Sequence, residues 1–154
     1  MTKIIDLKDL ITKISPHQKI VLATGVFDIL HSEHEKFLQA AKKQGDLLLV
    51  GLESDDRVKQ LKGSYRPLNP IKTRLQNLAA LDLADYVFVL PEDFDHLQQH
   101  EVLIQQLHPH ILAVSSQTPH QSQKQKIMAK YGGQLKVVLP HNPQISTSKL
   151  IRVK

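Results

Sequence analysis

The chain has 154 residues, 41% hydrophobic and 23% charged, with a formal charge of +5 and no cysteine. That length fits one domain, residues 1–154, able to bury a core without staples. The missing thiols exclude a disulfide framework and a thiolate metal site. No apolar run approaches the roughly 20 residues of a membrane span, and "MTKIIDLKDL" has no signal-peptide apolar region, so a cytoplasmic protein without a membrane partner is expected. Lysines are scattered and only 5% of residues are aromatic. A nucleic-acid partner is therefore not expected, and an anionic small molecule accounts for the charge equally well.

In chain order, Asp6 caps a short helix, "LKDLITKI", stopped at Ser15-Pro16. "KIVLATG" reads as a buried strand closed by Gly25. "HSEHEKFLQAAKKQG" has Phe37, Leu38 and Ala41 at helical spacing, with Gly45 as a C-cap. "DLLLVGLE" is a second strand. "SDDRVKQLK" is a helix with Ser54 as N-cap and acids in its first turn. "GSYRPLNP" is a loop. Pro70 starts the helix "IKTRLQNLAALDLA". "DYVFVL" follows as strand, "DFDHLQQHEVLIQQLH" as helix, "HILAVSS" as strand, "PHQSQKQKIMAKYGG" as helix with a glycine stop, and "LKVVLP" as a fifth strand. "STSKLIRVK" closes the chain as a short helix.

Apolar strands alternating with helices predict a doubly wound, five-stranded parallel α/β sheet, Rossmann-like, with helices on both faces. Ligands of such sheets bind at the carboxyl ends of the strands. The stretch "TGVFDILHSEH" falls there. Gly25 permits close approach to the main chain, and the following helix start offers unpaired N–H groups to a phosphate. His31 and His34 lie one helical turn apart and face the same way. Imidazoles there can donate to phosphoryl oxygens. A Walker loop and a nucleophile elbow are absent, and no third ligand for zinc is evident, so no metal site is assigned. The histidines at 96, 100, 108, 110, 120 and 141 have no convincing spacing and read as surface residues.

"TGVFDILHSEH" resembles the signature of the nucleotidyltransferase superfamily with the His-Xaa-Gly-His motif. The stretch from "GDLLLVGLESDDRVKQLKG" through "SYRPLNPIKTRLQNLAALDLADYVFVLPEDF" is similar to the heptose-1-phosphate adenylyltransferase domain, and more loosely to glycerol-3-phosphate cytidylyltransferase. "ISTSKLI" resembles the family's Ser/Thr-rich closing motif. The resemblance implies transfer of a nucleoside monophosphate from ATP or CTP, with Mg²⁺ on the phosphates, to a small phosphorylated acceptor such as a sugar 1-phosphate. Pyrophosphate would leave without a covalent enzyme intermediate. By the same resemblance, His31, His34, Lys62 and Arg74 are the catalytic set. Thr24, Gly25, Val26, Phe27 and Asp28 would bind nucleotide, Asp28 by organising the loop behind the histidines. Ser146, Thr147 and Ser148 would hold β- or γ-phosphate, and Arg152 lies one residue beyond an arginine found in some relatives. Relatives are often dimers, so the resemblance allows a homodimer.

Two departures stand out. Glu33 replaces the motif glycine. An uncompensated charge about 4 Å from a phosphate costs about 4 kcal/mol at an effective dielectric of 20, roughly a thousandfold in binding. Glu33 can offset this by turning to solvent towards Lys36, and its place in the first turn suits the helix dipole. "VSSQTPHQS" replaces a Lys-Gly-Gly-Asp-like run near the nucleotide base. Two outcomes follow: an active transferase, or a family member impaired by Glu33 that acts as a nucleotide-binding or interaction module.

Overall fold

The computed structural model describes residues 1–94 and 96–139. Its strands are β1 (Lys3–Ile4), β2 (Ile20–Gly25), β3 (Leu47–Leu52), β4 (Tyr86–Val89), β5 (Ile111–Ser115) and β6 (Gln134–Leu139). They form one parallel sheet in the order β1-β4-β3-β2-β5-β6. The expected sheet had five strands. The sixth is β1, whose two residues pair with Tyr86 and Val87 at the edge of β4. A pair so short has no periodicity from which a strand can be read.

The helices are α1 (Leu7–Lys13), α2 (Ser32–Lys42), α3 (Asp55–Lys62), α4 (Ile71–Ala80), α5 (Leu97–Leu107) and α6 (Gln121–Lys130). Side chains alternate across β2, as strand geometry requires. Val21 and Ala23 pack with Leu38 and Ala41 of α2 and Leu75 and Leu78 of α4. Ile20 and Leu22 pack with Leu10 of α1, Leu103 and Leu107 of α5, and Met128 of α6. The sheet is therefore covered on both faces. Among the described residues no helix is long and apolar enough to cross a membrane.

From β2 the chain winds outward through β3 and β4, then crosses back to β5 beside β2. The order reverses between β2 and β5, so the crevice beyond Gly25 and Ser115 is the switch point where such sheets bind ligands. Ser54 caps α3 as expected, its hydroxyl accepting from the Arg57 amide. Two helix-end expectations are corrected. Pro70 is the N-cap of α4 rather than its first residue. Gly45 does not cap α2, whose C-cap is Lys43. A Cβ at Gly45 would lie 2.6 Å from the Lys19 carbonyl oxygen, so close backbone packing requires this glycine. The expected closing helix, with Ser146, Thr147, Ser148 and Arg152, lies outside the described residues.

Candidate active site at the carboxyl edge of β2

The chain leaves β2 through Phe27, whose φ of 50° is left-handed, a conformation that costs a bulky residue energy and recurs at functional sites. Its ring takes the space a side chain at Gly25 would need: a Cβ there would meet Phe27 Cε2 at 2.8 Å. The glycine is thus required by the Phe27 ring. Beyond this turn His31 is the N-cap of α2. Its Nδ1 accepts from the Glu33 amide at 3.2 Å, and the His34 Nδ1 accepts from the His31 amide at 3.4 Å. The two imidazoles thus build the reciprocal capping box usually made by Ser or Thr with Glu or Gln. Their rings stack with centroids 3.9 Å apart, and Phe27 lies 5.2 Å from His34. With each Nδ1 an acceptor, the neutral tautomers assigned by these bonds carry their protons on Nε2.

Burial holds the His34 pKa down to about 4, helped by nearby His31 and Lys62. Burial also lowers His31, with Glu33 opposing it. The pair is therefore a neutral hydrogen-bond donor set at neutral pH.

Asp28 anchors the loop between α3 and α4. Its carboxylate is 2% exposed. It accepts from the Leu68 amide at 2.8 Å, the Asn69 amide at 2.9 Å and Arg66 Nε at 3.0 Å. The Asn69 side chain returns a bond to the Asp28 carbonyl at 2.8 Å. Burial by itself would raise the Asp28 carboxyl, but the two amides and Arg66 outweigh it and leave the pKa lowered. The loop is thereby pinned beneath the histidine turn. Lys62, exposed at the end of α3 next to this loop, has its pKa lowered by partial desolvation and the neighbouring Arg66 against the pull of Asp28.

Arg74 sits differently from its expected role. It is 0% exposed. Its guanidinium donates to the carbonyls of Asn69, Val26 and Glu53 and to Asp55 Oδ1, at 2.6–3.0 Å. It ties the ends of β2, β3 and the loop together from behind and presents no open donor face. Thr24 lines a narrow cavity on the opposite face of β2 with His100 and Lys124. His31, His34, Phe27, Asp28 and Lys62 are thus gathered at one edge, with Arg74 behind it.

The cytidylyltransferase-like family profile matches residues 22–153. The chain belongs to this family. Bifunctional protein HldE of Pelobacter propionicus is 41% identical over 137 residues, 88% of this chain and 27% of that protein. HldE of Helicobacter pylori strain Shi470 is 48% identical over 111 residues, 71% of this chain and 23% of that protein. The chain thus spans about a quarter of the length of these relatives. A lipopolysaccharide core biosynthesis protein from Thermoplasma volcanium superposes with a TM-score of 0.64 at 26% identity, covering 81% of this chain and 97% of that one. Pantoate-beta-alanine ligase of Francisella tularensis, at 14% identity and a TM-score of 0.64, covering 99% of this chain and 77% of that one, shares the fold.

Within the cytidylyltransferase-like family, the departures of this chain can be located. Glu33 does not turn to solvent. Its side chain is 15% exposed and receives Lys36 Nζ at 3.3 Å. Arg66, which sequence reasoning missed, is 8% exposed, and its Nη2 is buried with no hydrogen-bond partner. The signal was available: it is the one basic residue of the loop, and buried Asp28 needs a cation. His100 is also misread as a surface residue. It packs on Phe94 with ring centroids 4.0 Å apart, and burial together with Lys124 and His120 lowers its pKa to about 4. Among the described residues no group of three His, Asp or Glu could hold a metal ion, and Asp28 is fully bonded.

Proposed function

We propose that the protein transfers the nucleoside monophosphate of a magnesium-bound NTP, ATP before CTP, to a small phosphorylated acceptor such as a sugar 1-phosphate. An acceptor phosphate oxygen attacks the α-phosphorus in line. The bond to the β-phosphate oxygen breaks, and pyrophosphate leaves with the electron pair. The reciprocal histidine cap carries this reading: two Nε2–H donors stand at a helix start on the ligand edge of the sheet. Lys62 supplies positive charge beside them, Gly25 to Phe27 form the turn that leads to them, and Arg74 acts as a positioning residue. Ser146, Thr147 and Ser148 are assigned to the triphosphate by the motif alone.

The test is calorimetric titration with MgATP and MgCTP, followed by a pyrophosphate-release screen of sugar and polyol phosphates. Micromolar binding of one nucleotide with turnover of an acceptor supports the proposal. A folded protein that binds neither sinks it.

The covered carboxylate of Glu33 favours a second reading, a family member whose phosphate site is impaired and which serves as a binding module. Glu33→Gly separates the two. It creates or raises activity under the second reading, and it lowers turnover if the glutamate belongs to a working site.

A further inference from the structure

The first turn of α2 uses most of its own amide donors. The Glu33 amide goes to His31 Nδ1 and the His31 amide to His34 Nδ1. The amides of His34 and Glu35 turn back to the His31 carbonyl at 3.0 and 3.3 Å. What this turn keeps for a ligand is therefore mainly side chain: the two imidazoles and, between them in sequence, the Glu33 carboxylate. That carboxylate is held close in, with its side chain 15% exposed. Its charge reaches the imidazole of His31. Lys36 Nζ meets Oε1 at 3.3 Å from a side chain that is itself 61% exposed, and a cation so exposed offsets little of the charge. Oε2 has no partner among the described residues.

The other charges of this edge largely cancel in pairs. Arg66 is matched by Asp28 at 3.0 Å and Arg74 by Asp55 at 2.6 Å. Burial lowers both histidines, so at neutral pH they donate without carrying charge. Lys62 makes no ion pair among the described residues, and it acts on His34. A triphosphate arriving here thus meets one unpaired lysine and one poorly offset carboxylate. Coulomb repulsion grows with the charge of the ligand. Magnesium on the phosphates brings two positive charges to the same place, and a bound divalent ion is often the largest local charge in such a site. These residues fit a nucleotide that brings its cation with it: the donors are neutral, and the carboxylate has an open oxygen. Discrimination of this kind comes from repelling the wrong partner.

We propose that Glu33 is a specificity-determining residue, whose carboxylate at the histidine cap repels a metal-free nucleoside triphosphate and admits the magnesium complex. This deepens the transferase reading and rests on it. The charge acts through space, on the net charge of the ligand, and Glu33 is not a ligand of the metal.

The experiment is calorimetric titration of the full chain with ATP in excess Mg²⁺ and with ATP in excess EDTA, for wild type, Glu33→Gln and Glu35→Gln. Wild type should bind the magnesium complex at least a hundredfold more tightly than free ATP. Glu33→Gln should narrow that ratio at least tenfold, by binding free ATP more tightly. Glu35 is in the same turn with the same charge but is exposed, so Glu35→Gln should leave the ratio within threefold of wild type. Thermal melting confirms that both variants are folded. Equal binding of the two forms by wild type overturns the proposal, as does an unchanged ratio in folded Glu33→Gln; both results leave the transferase reading standing. An equal effect of Glu35→Gln makes the selection a matter of overall charge and overturns the assignment to Glu33. Loss of affinity for the magnesium complex alone in Glu33→Gln makes the carboxylate a metal ligand and overturns the repulsive account. Binding of neither form by any of the three proteins overturns this proposal and the transferase reading together.

Discussion

His31 and His34 cap one helix end for each other, the Nδ1 of each accepting a backbone amide of the same turn. One atom of each ring therefore stabilises α2 while the other is left to donate outward. Structure and chemistry are carried by different nitrogens, and substitutions can divide them. His31→Asn keeps a side-chain acceptor at the N-cap but removes the outward donor. We expect stability within about 0.5 kcal/mol of wild type and a loss of pyrophosphate release of about 100-fold, the effect of removing one donor from a charged transition state. His31→Ala should lose both, with about 1 kcal/mol less stability by urea unfolding.

The depressed pKa of His34 sets a pH dependence. The folded value is about 4 and the ordinary value 6.5. Between these values the unfolded chain binds a proton that folded His34 does not, so stability is full above about pH 6.5 and falls as pH drops towards 4. His100, also lowered to about 4, adds in the same direction. Urea midpoints measured from pH 8 to pH 4.5 should decline through this window. His34→Gln, which preserves the capping-box pattern, should flatten part of the slope.

Bound phosphate has the opposite linkage to His34, because an anion favours the imidazolium. MgATP should bind more tightly at pH 5.5 than at pH 8 when compared where the protein is folded, with net proton uptake. Calorimetry in buffers of different ionisation enthalpy measures that uptake, and proton release would contradict it.

Asp28→Asn should be severe. The Arg66 guanidinium would remain buried without its counter-ion, and breaking a buried pair in this way costs about 3–5 kcal/mol. The loop 63–70 would lose its anchor, so nucleotide affinity should fall with stability. Because the Asp28 carboxyl is held below its ordinary value, its contribution is present above pH 3.8 and is lost as pH falls through the folded value. Chemical denaturation with a proteolysis assay of the loop reads both effects.

Arg74→Lys tests a positioning role. An ammonium cannot reach the separate carbonyls of Asn69, Val26 and Glu53 while also pairing with Asp55. We expect a loss of at least about 2 kcal/mol in urea unfolding from the stranded acceptors. A variant as stable as wild type but unable to bind nucleotide would instead make Arg74 a direct ligand.

The alternation of strands and helices, the parallel sheet and the placing of "TGVFDILHSEH" at its ligand edge are legible in the order of residues. These follow from local periodicity and from turn and cap residues, which act over a few positions. The same short range explains why His31, His34 and Asp28 were legible: their motif is contiguous. Tertiary structure alone decided what distant residues do. Arg74 is placed in the catalytic set by the resemblance, yet its guanidinium meets carbonyls up to 48 residues away. Arg66 gains its meaning only from Asp28, 38 residues earlier. Lys124 sits on an apolar stripe that could have drawn notice, but its closeness to His100 and Thr24 arises where α5, α6 and β2 converge. Strand β1 exists only because β4 offers it an edge. Local patterning fixes elements because their hydrogen bonds are local, whereas buried charges are placed by partners that only folding brings within reach.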